Sequence, residues 1–137
     1  MPVIAWLRLA RIYQKIDRRS AETMKQWNIS VSRFDMINQI GAHEGITQQE
    51  LANVLLVTKG NITQLLDGLE RDGFVERRRC GRAKRLHLTA PGLVIREASM
   101  RDQEESLGKE FGVLEPEEMR TFLALLRKID RGLTEPG

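Results

Sequence analysis

Two short stretches of the chain carry side chains able to grip and read a polyanion. Arg77-Arg78-Arg79-Cys80-Gly81-Arg82-Ala83-Lys84-Arg85 places six bases in nine residues with no acid among them. Guanidinium and ammonium groups at that density suit phosphate. Some twenty residues earlier, Lys59, Gly60, Asn61, Thr63 and Gln64 form a polar set around apolar Ile62. Asn and Gln each offer a paired donor and acceptor that fit adenine, Lys can donate to guanine, and Thr can meet a thymine methyl. Gly60, without a Cβ, lets a backbone approach another surface closely, at a cost in helix stability.

The charge distribution favours the same chemistry. The net charge is +3, but residues 71–85 hold seven bases against two acids, a local +5 that leaves the rest of the chain at −2. A concentrated basic patch on a slightly acidic molecule is the footprint of a polyanion binder. Aromatic residues are only 5% of the chain, too few for the base-stacking sheet of an RNA-binding module. A single cysteine, Cys80, excludes an internal disulfide framework and points to a reducing compartment. His43 and His87 are the only histidines, so no metal site or cofactor is expected. No phosphate-binding glycine motif, catalytic triad order or metal cluster points to an enzyme. Arg8 and Arg11 interrupt the apolar N-terminus, and no apolar run approaches a membrane span.

The elements that would hold the two stretches follow from periodicity. Residues 4–27 read as a long helix, with Trp6, Leu9, Tyr13 and Ile16 along one face. Ser32 is the expected N-cap of a second helix bearing Phe34, Ile37 and Ile40. Thr47-Gln48-Gln49-Glu50 is a capping box leading into Leu51, Ala52, Val54 and Leu55. After a break at Val57-Thr58, Thr58 caps a helix with Ile62, Leu65, Leu66 and Leu69 on its apolar side, ending at Gly73. Two short helices joined by a tight turn form a helix-turn-helix. Phe74-Val75 then opens an extended arm and Arg85-Leu86-His87-Leu88 alternates polar and apolar. The basic run is thereby the loop and flanks of a β-hairpin, with Gly81 near its tip. Thr89 caps a helix over about 92–111, and Pro116 starts a last one with Met119, Phe122, Leu126, Ile129 and Leu133 in register.

The N-terminal end of the second helix of a helix-turn-helix reads the major groove, which gives Lys59 to Gln64 their use. Arginines of the hairpin suit a narrow minor groove and its phosphates. Two or three of the six bases should touch DNA, the others lying along the strands. A nuclear address is the rival reading of such a run, and its place inside a hairpin speaks against it.

The order Ile46-Thr47-Gln48-Gln49-Glu50-Leu51-Ala52, Val57-Thr58-Lys59-Gly60-Asn61-Ile62-Thr63, Leu69-Glu70-Arg71-Asp72-Gly73-Phe74-Val75-Glu76-Arg77 and Leu86-His87-Leu88-Thr89-Ala90-Pro91-Gly92 resembles the MarR family of winged-helix transcription regulators. The likeness covers nearly the whole chain. It implies a mostly α fold with a small β-hairpin wing: a winged helix-turn-helix over residues 30–90 and a helical dimerisation region formed by 1–29 and 91–137. It implies a homodimer, double-stranded DNA as partner, and a small-molecule effector as a further partner. The family's wing carries Asp-Arg-Arg several residues before the Leu-Thr. Here those positions are Cys80, Gly81 and Arg82, so only the second arginine is present.

The expected DNA-contacting set is therefore Thr47, Gln48, Thr58, Lys59, Gly60, Asn61, Thr63 and Gln64, with Arg82 in the minor groove and Arg78, Arg79 and Lys84 on the backbone. The expected function is a dimeric sequence-specific regulator, a repressor, on a pseudopalindromic operator. The alternatives are a non-specific architectural DNA binder and a redox-responsive regulator using Cys80. Cationic neighbours favour a thiolate there, but exposure and cations are necessary and not sufficient for sensing. His87 is expected near phosphate or solvent. Trp6, Tyr13 and Trp27 are expected in a dimer core or between helices.

Overall fold

The computed structural model describes residues 1–55 and 59–134, with the backbone alone at residues 59 and 60. Six helices and one hairpin follow in order: α1 (Pro2–Lys25), α2 (Val31–Ala42), α3 (Gln48–Leu55), α4 (Lys59–Arg71), β1 (Val75–Cys80), β2 (Ala83–Leu88), α5 (Ala90–Phe111) and α6 (Pro116–Thr134). The expectations of a break at Val57 and a cap at Thr58 lie outside the described residues.

Each boundary has a local cause. Asn28, at φ +55, ends α1 in the left-handed conformation that Asn tolerates better than most residues. The N-cap of α2 is Ser30, not Ser32: the Ser30 hydroxyl accepts from the Arg33 amide at 3.1 Å. The reason is hydrophobic. With Ser30 as cap, Ile29 precedes the helix and Phe34 falls one turn in, and these two bury together beside Met24 as a hydrophobic staple. At α3 the capping box forms in both directions, the Glu50 amide donating to Thr47 Oγ1 and the Thr47 amide to Glu50 Oε1, each at 3.1 Å. Gly73, at φ +82, lets the chain leave α4 and turn into β1.

The hairpin pairs Val75 with Leu88, Arg77 with Leu86 and Arg79 with Lys84 on one face, and Glu76 with His87, Arg78 with Arg85 and Cys80 with Ala83 on the other. Gly81, at φ +64, holds the first position of the turn, as a tight hairpin requires. The segment before α3 adds a short third rung: the Gly45 amide donates to the Leu86 carbonyl and the Leu86 amide to the Ile46 carbonyl, both at 2.9 Å. The wing is thereby tied to the start of the helix-turn-helix.

One core lies under α2, α3, α4 and the hairpin, where Ile37, Ile40, Leu51, Ile62, Leu66, Leu69 and Leu86 are fully buried. Helix α5 leaves this core at Thr89. The Thr89 hydroxyl donates to the Gly73 carbonyl at 2.5 Å and accepts from the Gly92 amide at 3.1 Å, so one side chain closes α4's exit and caps α5. At Gly92 a Cβ would stand 2.1 Å from the Phe74 carbonyl oxygen, so only glycine permits this approach. Further along, α5 is pinned to α1. Trp27 Nε1 and Gln26 Nε2 both donate to Asp102 Oδ2, at 2.9 and 2.8 Å, and Gln103 donates to the Ser20 hydroxyl at 2.8 Å. Trp27 thus packs between helices as expected, whereas Trp6 and Tyr13 stand 65% and 68% exposed on this chain.

Candidate nucleic-acid interface

Burial of Ile62, Leu66 and Leu69 fixes the rotation of α4 and turns Asn61, Thr63 and Gln64 to the surface. Nothing beyond the backbone of Lys59 and Gly60, and nothing of Thr58, falls within the described residues. Gln48, at the start of α3, reaches across and donates from Nε2 to Thr63 Oγ1 at 2.9 Å. Thr47 is half-buried, and its hydroxyl is engaged by the capping box.

The wing meets the same end of α3. Thr47, Gln48 and Gln49 on one side and Arg82, Ala83 and Lys84 on the other enclose an open recess of about 460 Å³. Gln48 therefore borders both the first turns of α4 and the tip of the wing. Asn61, Thr63, Gln64 and the wing bases form one connected surface through it. Gln49 belongs to this recess and was not among the expected contacts. Its place inside the capping box, next to Gln48, is the signal that could have included it.

The six bases of the run divide by strand alternation. Arg77 shares the core face with Leu86, and its side chain is only 13% exposed. It pairs with Asp67 of α4 and stands 3.6 Å from Glu70, so it ties the wing to the helix and is turned away from solvent. Arg85 donates to the Gly45 carbonyl at 2.9 Å. Arg78 lies 3.3 Å from Glu76, whose carboxyl is held below the usual glutamate value first by that hydrogen bond and then by the guanidinium charge. Among the described residues, Arg79, Arg82 and Lys84 have no acid within ion-pair distance and are exposed. Among the described residues these three wing cations have neither an acid nor the carbonyl partner that Arg85 has.

His87 is on the opposite face from the core, with Nδ1 3.0 Å from Glu44 Oε2, a carboxylate partner that the sequence reading did not include. Cys80 is exposed at the wing tip opposite Ala83. Among the described residues no group of three or more His, Cys, Asp or Glu could hold a metal ion, and no helix is long and apolar enough to cross a membrane.

A helix-turn-helix whose second helix presents Asn, Thr and Gln beside a basic, core-anchored hairpin defines a winged-helix DNA-binding protein. The comparisons make this specific. A model of the MarR family matches residues 27–86, from Trp27 through the wing. An uncharacterized HTH-type transcriptional regulator of Bacillus cereus is 30% identical over 93% of this chain and 88% of its own length. The regulator PecS of Dickeya dadantii is 28% identical over 96% of this chain and 83% of its own. Among solved structures, wild-type apo MarR of E. coli is 30% identical, covers 89% of this chain and 94% of its own, and superposes with a TM-score of 0.76. A mutant of that MarR complexed with operator DNA superposes with a TM-score of 0.83 at 29% identity, over 93% of this chain and 95% of its own. The chain belongs to the MarR family, and it is a DNA-binding transcription regulator.

Proposed function

We propose that the protein acts as a homodimeric repressor on a pseudopalindromic operator, each protomer setting the N-terminal turns of α4 into a major groove and Arg82 into the flanking minor groove. The observation that carries this reading is the position of Gln48, bonded to Thr63 of α4 and bordering the recess that holds Arg82 and Lys84. A duplex lying on one of these elements meets the other. Arg79 and Lys84 neutralise phosphates alongside. Arg78 joins them by exchanging Glu76 for phosphate.

Dimerisation is supported by the terminal helices. α6 buries no residue, and Leu125, Ile129 and Leu133 are more than half exposed, as are Val3, Ile4, Trp6 and Leu7 of α1. An apolar surface of that extent on helices of this length fits a second copy of the chain. Two recognition helices about 34–36 Å apart then enter successive major grooves. A small-molecule effector acts by shifting the population between lobe spacings that bind DNA differently. The regulator works on the nucleoid, in the cytoplasm.

The experiment is a pair of substitutions measured on operator and random duplexes across a salt series. Arg82→Ala weakens binding to every sequence and lowers the salt slope by about one unit. Asn61→Ala relaxes discrimination at particular base pairs by about 1–3 kcal/mol. Equal losses for both variants on both duplexes would contradict these roles and favour non-specific binding.

A further inference from the structure

The wing is held unequally along its two edges. β2 is hydrogen-bonded to β1 on one side and to the 45–47 segment on the other, through Leu86 and the bridge between Thr47 and Arg85. β1 is the outer strand, and among the described residues no strand pairs with its free edge. Side chains give it its grip on the rest of the fold. Val75 is buried in the core, and two residues on Arg77 takes the next place on that face. Beyond it the same face carries Arg79 and Lys84, both exposed. Arg77 is therefore the outermost anchored residue on the core face of β1.

Its anchor is the recognition helix itself. Asp67 and Glu70 follow Thr63 on α4 at i, i+4 and i+7, so the three share one stripe. Thr63 accepts from Gln48, Asp67 pairs with Arg77, and Arg77 Nε stands 3.6 Å from Glu70 Oε2. The stripe thus starts beside the DNA-facing residues and ends at the wing. A planar, forked guanidinium can span two carboxylates one helical turn apart, where an ammonium meets one. The Arg77 side chain is 13% exposed and both acids are half-exposed, so the arginine is the buried and fixed member of the group. A separate clasp holds the far side of α4. There Arg33 of α2 pairs with Asp72 at 2.6 Å and lies across Gly68, where a Cβ would stand 2.3 Å from its Nη2.

We propose that Arg77 is the positioning residue of the wing: by spanning Asp67 and Glu70 it sets the angle between α4 and the hairpin, and with it the distance between the base pairs met by residues 61–64 and the minor groove entered by Arg82. The proposal rests on the DNA roles given above to Asn61 and Arg82. The lever is long enough to matter. From Arg77 to the turn at Gly81 is about 13 Å of strand, so a tilt of about 10° at Arg77 carries Arg82 about 2 Å sideways. A hydrogen bond does not survive a displacement of that size.

The test is a double-mutant cycle on the whole protein, with a duplex that the wild type recovers from a random pool as probe. In the wild-type background Arg82→Ala is expected to weaken binding about ten-fold. In the Arg77→Met background the same change is expected to cost about two-fold or less, because Arg82 no longer reaches its groove. Asn61→Ala keeps its full cost in both. Arg33→Met breaks the clasp on the far side of α4 and controls for lost stability; in that background Arg82→Ala keeps its full cost. Should Arg77→Met fail to fold by circular dichroism, Asp67→Asn carries the cycle, since Asp67 is half-exposed and its amide removes the charge from the same pair. A full cost of Arg82→Ala in the Arg77 and Asp67 variants would overturn the role of Arg77 and leave that of Arg82 standing. Equal shrinkage in Arg33→Met would reduce the clasp to general stability and overturn it too. No cost of Arg82→Ala in the wild type would contradict the groove role of Arg82 itself, and the proposal would fall with it.

Discussion

The winged region and the terminal helices are built from the same material and finish differently. In both, amphipathic helices carry aliphatic residues at helical spacing. In α4 that stripe is covered, with Ile62, Leu66 and Leu69 at 0% exposure and Leu65 partly buried beneath α2, α3 and the hairpin. In α6 the equally regular series of Phe122, Leu126, Ile129 and Leu133 buries nothing fully, and Leu133 is 80% exposed. Two helices and a hairpin close around the first stripe within one chain, and among the described residues no such set closes around the second. Periodicity tells which side of a helix is apolar; it does not tell what covers that side.

The sharpest way to break this contrast is to cut into each region in turn. Leu69→Ala empties a site at the centre of the winged core and should lower unfolding free energy by about 3 kcal/mol in urea titrations. A loss below about 1 kcal/mol would show the core looser than described. Ile129→Asp combined with Leu133→Asp should leave the winged region folded by circular dichroism and halve the molar mass. Operator affinity then falls by roughly 10²-fold as the two binding modules are uncoupled. Unchanged mass would move the interface elsewhere.

The joint between the regions gives a smaller effect. Asp102→Ala removes the acceptor of both Trp27 and Gln26 and strands a half-buried indole N–H. It should reduce stability by about 1–2 kcal/mol, read by thermal unfolding, without changing DNA specificity. The smallest effect concerns the cap of α3. Hydrogen bonds from the Thr47 side chain and then its backbone hold the Glu50 carboxyl below the ordinary 4.5, with help from the Arg85 charge. A depressed folded pKa means the cap's contribution is full above 4.5 and fades as pH falls through the lower folded value. An NMR titration should find Glu50 below 4.5 in the native protein. Thr47→Ala should return it toward that value and lower stability by about 1 kcal/mol.

Much of the fold is legible in the sequence because its signals are local. The capping box at Thr47–Glu50, the glycine at 73, the turn at Gly81 and the Thr89 cap all lie within a few residues of the group they satisfy. Ser30 is harder to choose over Ser32, because the deciding contact is the burial of Ile29 with Phe34 against α1. The candidate site divides in the same way. The polar set of α4 follows from its apolar side. Strand alternation alone would set Arg77 beside Leu86, but that it closes on Asp67 and Glu70 depends on how the hairpin packs on α4. Glu44 beside His87 and Gln49 beside the wing are likewise contacts between segments, without a spacing rule that announces them.

The central claim is that residues 61–64 of α4 and Arg82 of the wing meet one duplex, twice, in a symmetric pair. Selection of bound sequences from a random duplex pool by the full-length protein tests it most directly. The account predicts a two-fold symmetric consensus with half-sites about one helical turn apart, roughly 10 base pairs centre to centre, flanked by A·T-rich minor groove. A single unrepeated half-site, or no enriched sequence at all, would contradict it.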